Sequence, residues 1–67
     1  MQHATMIVRA VPKKNTQAMI RALRGAKLTV NKDSLGGYQC KQGDTLLFAA
    51  IPGKLNYLVR MRADLFS

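Results

Sequence analysis

The stretch KKNTQAMIRALRGAK, residues 13–27, decides how this chain folds. At about 100° per residue, a helix through it gathers Met19, Ala22, Leu23 and Ala26 on one side, with Ile20 at the edge. Lys14, Gln17, Arg21 and Arg24 fall together on the other side. One side is apolar enough to pack on a core, and the other is a cationic stripe with no acid in it. Asn15 or Thr16 is placed to cap the first turn by accepting from its free N–H groups. Gly25 is placed to take the left-handed conformation that ends a helix.

Outward from this segment the sequence reads as strands. Residues 4–11 alternate, with Met6, Val8 and Ala10 on one side and Thr5, Ile7, Arg9 and Val11 on the other. Pro12 has no N–H for a ladder and ends that strand. Residues 27–32 (KLTVNK) alternate again, with Leu28 and Val30 inward, which makes a β-α-β unit whose crossover is right-handed if its strands are parallel. KDSLGG (residues 32–37) collects turn formers, and the pair Gly36 and Gly37 permits positive φ at either position. Phosphate-cradling loops sit between a strand and a helix, whereas the YQCKQ that follows reads as a strand, so a plain hairpin is expected.

Residues 38–42 form a short polar strand, and a turn at Gln42, Gly43 and Asp44 leads into TLLFAAI (residues 45–51). That run is apolar on both sides and belongs in a sheet interior or at a subunit contact. Ile51, Pro52, Gly53 and Lys54 read as a type II turn with Gly53 at positive φ. Residues 56–63 return as a strand with Tyr57, Val59, Met61 and Ala63 on one side and Leu58, Arg60 and Arg62 on the other. Leu65 and Phe66 are expected to tuck against the core. The fold class is α+β: a single compact basic domain over residues 1–67, one amphipathic helix on a sheet of four to five strands, in the order β-α-β-β-β-β.

With one helix to cover it, the sheet keeps an uncovered face. Ile7, Val11, Leu46, Phe48 and Leu58 are expected there beside Arg9, Arg60 and Arg62, an apolar patch rimmed by guanidinium groups of the kind that meets another macromolecule. A chain of 67 residues buries only about 60% of its unfolded surface and usually needs support. Cys40 is the only cysteine, so it has no intramolecular disulfide partner, and with His3 it cannot complete a four-ligand zinc site. A homodimer is the support expected by elimination.

Eleven Lys and Arg face three acids, Asp33, Asp44 and Asp64, for a net charge of +8. That imbalance promotes association with polyanions, nucleic acid first among them. No apolar run is long enough to span a membrane, and the opening MQHATMIVRAVP lacks the basic start and long apolar stretch of a signal peptide. A cytoplasmic protein is expected, in keeping with a lone reduced thiol. Catalysis has little to work with: the acids sit in turn-like or terminal contexts, the only His is near a terminus, and no base neighbours Cys40. No enzyme activity, metal or cofactor is expected.

The expected activity is that of a small basic module that associates with nucleic acid, duplex or single-stranded, through phosphates contacted by Lys13, Lys14, Gln17, Arg21, Arg24 and Lys27. A solvated helix normally interleaves Glu with Lys, and this one has no acid. A secondary surface is Arg9, Arg60 and Arg62 with Phe48, Tyr38 or Tyr57 nearby, as in sheets that stack bases on aromatics. The alternative is an interaction module that docks an acidic protein on its uncovered sheet face or an edge strand, as an accessory protein of a phage or mobile element would to inhibit a host protein.

Overall fold

A computed structural model describes residues 5–63. The elements run β1 (Met6–Pro12), α1 (Lys13–Gly25), β2 (Val30–Lys32), β3 (Tyr38–Gln42), β4 (Thr45–Pro52) and β5 (Asn56–Arg62). The sheet order is β1-β5-β4-β3-β2, and every ladder is antiparallel. β1 and β2 therefore sit on opposite edges, and α1 crosses one face of the sheet between them. The β-α-β unit contains no paired parallel strands. His3, Asp64, Leu65 and Phe66 lie outside the described residues.

The helix begins directly after Pro12, whose φ of −54° and ψ of 146° turn the chain from strand to helix, and among the described residues no side chain caps it. Thr16 does not act as the cap. Its Oγ1 donates to Pro12 O at 3.1 Å and to Val11 O at 3.4 Å, and this local bonding lets Thr16 be fully buried. The core face is accordingly Thr16, Ile20 and Leu23; Met19 is half-buried, and Ala22 and Ala26 are exposed. The expected arc is corrected by a rotation toward Ile20. A threonine whose hydroxyl is satisfied packs as an apolar group, and alanines add too little area to hold the arc on their side.

The helix ends in a Schellman motif, with Leu28 N donating to Leu23 O at 3.1 Å and Lys27 N to Arg24 O at 3.0 Å. The left-handed residue is Lys27, at φ 71°, not Gly25. Lys27→Gly should therefore raise the stability by about 0.5–1 kcal/mol, relief of left-handed strain outweighing the extra freedom of glycine in the unfolded chain. Urea unfolding checks this, and a lower midpoint than the parent's would refute it.

The interior collects Val11, Ile20, Leu23, Val30, Cys40, Leu47, Phe48, Ala50, Val59 and Met61 between helix and sheet. Cross-strand pairing puts Phe48 opposite Cys40 and Met61, and Ala50 opposite Tyr38 and Val59. A bulge between β3 and β4 pairs Lys41 with Leu46 and leaves Leu47 unpaired, so Leu47 and Phe48 are both buried although adjacent. The doubly apolar TLLFAAI run is thus an interior strand, held between β5 and β3.

The uncovered face differs from the expected one. Val11 and Phe48 are buried beneath α1, and Ile7 and Arg9, alternating with Val11, share its side. Their places outside are taken by Val8, Ala10 and Ile51, which join Leu58, Arg60 and Arg62. Ala10, Leu58 and Ile51 make one row across β1, β5 and β4.

Each hairpin has its own device. At β2–β3, Asp33 Oδ1 accepts from Leu35 N at 2.9 Å and Gly37 N at 2.8 Å, while Gly36 has φ 87°. Gly43, at φ 64°, opens the two-residue turn of β3–β4. Gly53 has no positive φ, so the expected type II turn is absent. Its role is close approach, since a Cβ there would lie 2.7 Å from Asn56 O.

Candidate nucleic-acid interface

Helix α1 exposes Lys13, Lys14, Arg21 and Arg24 and half-buries Gln17. Lys13, Gln17 and Arg21 follow one another at four-residue spacing along a single ridge. Beside it, a shallow hollow on the outer face is lined by Lys14, Asn15, Ala18, Met19, Arg21 and Ala22. The small side chains of Ala18 and Ala22 let a ligand approach the helix closely between Lys14 and Arg21.

The electrostatics of this face are one-sided. The first turn carries no acid, and among the described residues no side chain accepts a hydrogen bond at its N-cap. Lys13 and Lys14 thus add charge where the helix dipole is already positive, a placement that costs about 0.3–1 kcal/mol each without an anion nearby. The described acids, Asp33 and Asp44, both lie in hairpin loops. Asp33 is occupied with the N–H groups of its own turn.

Arg24 has a different use from the one expected. Its Nη2 donates to Val30 O at 3.0 Å, tying the C-terminal end of α1 to β2. Removing it loosens the fold, which makes it a poor probe of binding. Lys27 is exposed just past the helix end, in the left-handed position already described.

The secondary surface does not assemble as expected. Arg60 is exposed and Arg62 half-buried on the open face, Arg9 is exposed on the helix side, and Phe48 is 0% exposed in the core. Phe48 is therefore not part of that surface, because β4 turns it toward α1 opposite Met61. Tyr38 and Tyr57 also lie on the helix side, since each is two residues from a buried residue of its strand, Cys40 and Val59. Their rings meet at 6.1 Å with an interplanar angle of 62°. The Lys32 ammonium lies 5.9 Å from the Tyr38 ring centroid.

The one signal for Lys32 in the sequence is two-residue alternation from Val30, which places it on this side. Cys40 is fully buried, and burial pushes its thiol above the ordinary range, which suits a packing role. Among the described residues no helix is long and apolar enough to cross a membrane. Comparison with known protein families, curated proteins and solved structures returned no match to this chain.

Proposed function

We propose that this protein is a small nucleic-acid-binding module that holds the phosphate backbone along α1 with little readout of sequence. The observation that carries the reading is the helix itself: Lys13, Lys14 and Arg21 are exposed on one element with no acid on it, beside an N-cap at which no side chain of the described residues makes a capping hydrogen bond. Phosphates supply the missing negative charge to both the side chains and the dipole. Equilibrium titration of labelled duplex and single-stranded oligonucleotides at low salt tests it, and a protein that binds neither would remove the reading. With such a partner the protein works in the cytoplasm, where Cys40 stays reduced.

A second reading is favoured by the open sheet face, where Val8 is 54%, Ile51 60% and Leu58 47% exposed, next to Leu55 at 82% in the following loop. Apolar side chains in such a row mark a protein contact, and a second copy of this chain is the occupant that would support so small a domain. Sedimentation at micromolar concentration should then give a dimer, and Leu58→Glu, which puts a charge in the middle of the row, should give a folded monomer. A parent that stays monomeric to about millimolar concentration, where even a contact of about 4 kcal/mol would be seen, excludes the homodimer. That result would leave the face to an acidic protein partner, whose carboxylates would suit Arg60.

A further inference from the structure

We propose that Tyr38 and Tyr57 form a stacking platform for unpaired bases, so that the nucleic acid held by α1 is single-stranded. The proposal rests on the phosphate-binding reading above and names its ligand class. The platform is a product of strand register. Tyr38 on β3 lies opposite Ala50 of β4, and Tyr57 on β5 lies opposite Pro52, two residues further along β4, so the two rings approach diagonally across that strand, edge to face. Both rings pack on the core and are half-buried, so they are anchored below and accessible in part.

Positive charge bounds this corner from two directions. Lys32, paired with Tyr38 in the β2–β3 ladder, holds its ammonium 5.9 Å from the Tyr38 ring centroid. From the other direction comes the helix flank that carries Gln17, Arg21 and Arg24, since Arg24 reaches across to Val30, two residues before Lys32 on the same strand. The opposite flank of α1 differs in character: Met19, Ala22 and Leu23 there line an apolar notch with Met61 of β5. Charge and aromatic rings thus share one side of the helix, and the other side has neither Lys nor Arg in its notch.

This combination fits unpaired nucleotides better than a duplex. A duplex hides its base faces inside its own stack and offers a protein only phosphates and groove edges. An unpaired base can lie on a tyrosine ring while its phosphates reach cations to either side, the arrangement that gives single-strand binding without sequence preference. Lys32 is exposed, so its ammonium is able to leave the ring for a phosphate when a base arrives. The open sheet face offers no such ring among the described residues, because Tyr38, Phe48 and Tyr57 all point to the helix side.

The chain has two tyrosines and no tryptophan, so its native emission reports on this corner without any substitution. The intact protein is titrated at low salt with oligothymidylate and with a duplex of equal length, following tyrosine emission and the anisotropy of end-labelled nucleic acid together. The expected result is saturable quenching by the single strand and none by the duplex. Tyr38→Leu should bind the single strand about tenfold more weakly or worse, while Tyr38→Phe, which keeps the ring, should match the parent. A single strand that binds by anisotropy with no change in tyrosine emission overturns the platform, as does a folded Tyr38→Leu with parental affinity. If Tyr38→Leu fails to fold, the quenching titration of the native protein decides alone. If neither nucleic acid changes the anisotropy, the phosphate-binding reading itself falls and the platform with it; equal binding of both with unchanged emission removes the platform only.

Discussion

Phe48→Ala should abolish cooperative folding at room temperature. Phe48 is the largest fully buried side chain, 0% exposed, on a strand with neighbours on both sides and beneath the only helix of the described residues. Its pairing with Cys40 and Met61 places it in the middle of the sheet, where surrounding strands cannot collapse into the space it leaves. Truncating a buried phenylalanine costs about 3–5 kcal/mol. At about 0.05–0.15 kcal/mol per residue, a chain of 67 residues has roughly 3–10 kcal/mol in total, so the loss takes most or all of it. Circular dichroism during heating reads the result: a flat trace or a midpoint far below the parent's is expected. Leu35→Ala, at a site 84% exposed in the β2–β3 loop, is the control and should melt within about 0.5 kcal/mol of the parent. A Phe48→Ala protein with the parental midpoint would mean that the core lies elsewhere.

Salt should act on binding as strongly as that substitution acts on folding. Lys13, Lys14, Arg21 and Lys27 are the exposed cations of the helix region left after Arg24 is assigned to Val30. If each neutralises one phosphate, the slope of log affinity against log salt is about −3.6 on duplex DNA and about −2.8 on a single strand. Raising the salt fourfold then weakens duplex binding roughly a hundredfold. Lys14→Ala and Arg21→Ala should each flatten the duplex slope by about 0.9, because each removes one counterion-releasing contact. Both side chains are exposed, so Arg21→Ala should keep a thermal midpoint near the parent's, and Lys14→Ala, which removes a cation from the positive end of the helix dipole, should match or slightly exceed it. Arg60→Ala, on the open face of the sheet, should leave the slope unchanged. Fluorescence anisotropy at four or more salt concentrations supplies the slopes. A slope that responds to Arg60→Ala and ignores the helix substitutions would move the interface to the sheet.

The sequence by itself determined the elements and their order. The period of the helix, the alternation within each strand, and the turn residues at Asp33, Gly36 and Gly43 are local signals, written in side chains close together along the chain. The charge asymmetry of α1 was legible for the same reason: a helix fixes which of its residues share a side, whatever it packs against.

Tertiary structure decided what depends on contacts between distant segments. Alternation separates Ile7, Arg9 and Val11 from Val8 and Ala10, but only pairing with β5 shows that the first set faces the helix. The bulge opposite Cys40 sends Leu47 and Phe48 both inward, which no two-residue period predicts. Ile20 and Thr16 win the core face because the bond to Pro12 O offsets most of the cost of burying the hydroxyl, a bond that exists only once the chain has turned from strand to helix at Pro12. Arg24 leaves the cationic stripe for the Val30 carbonyl, because the turn after α1 lays β2 back beside the helix end, and Tyr38 finds Tyr57 diagonally across β4, because the sheet brings together residues far apart in sequence. Local geometry sets each strand's two sides, and register between strands, fixed by the common burial of all of them, sets which side is in.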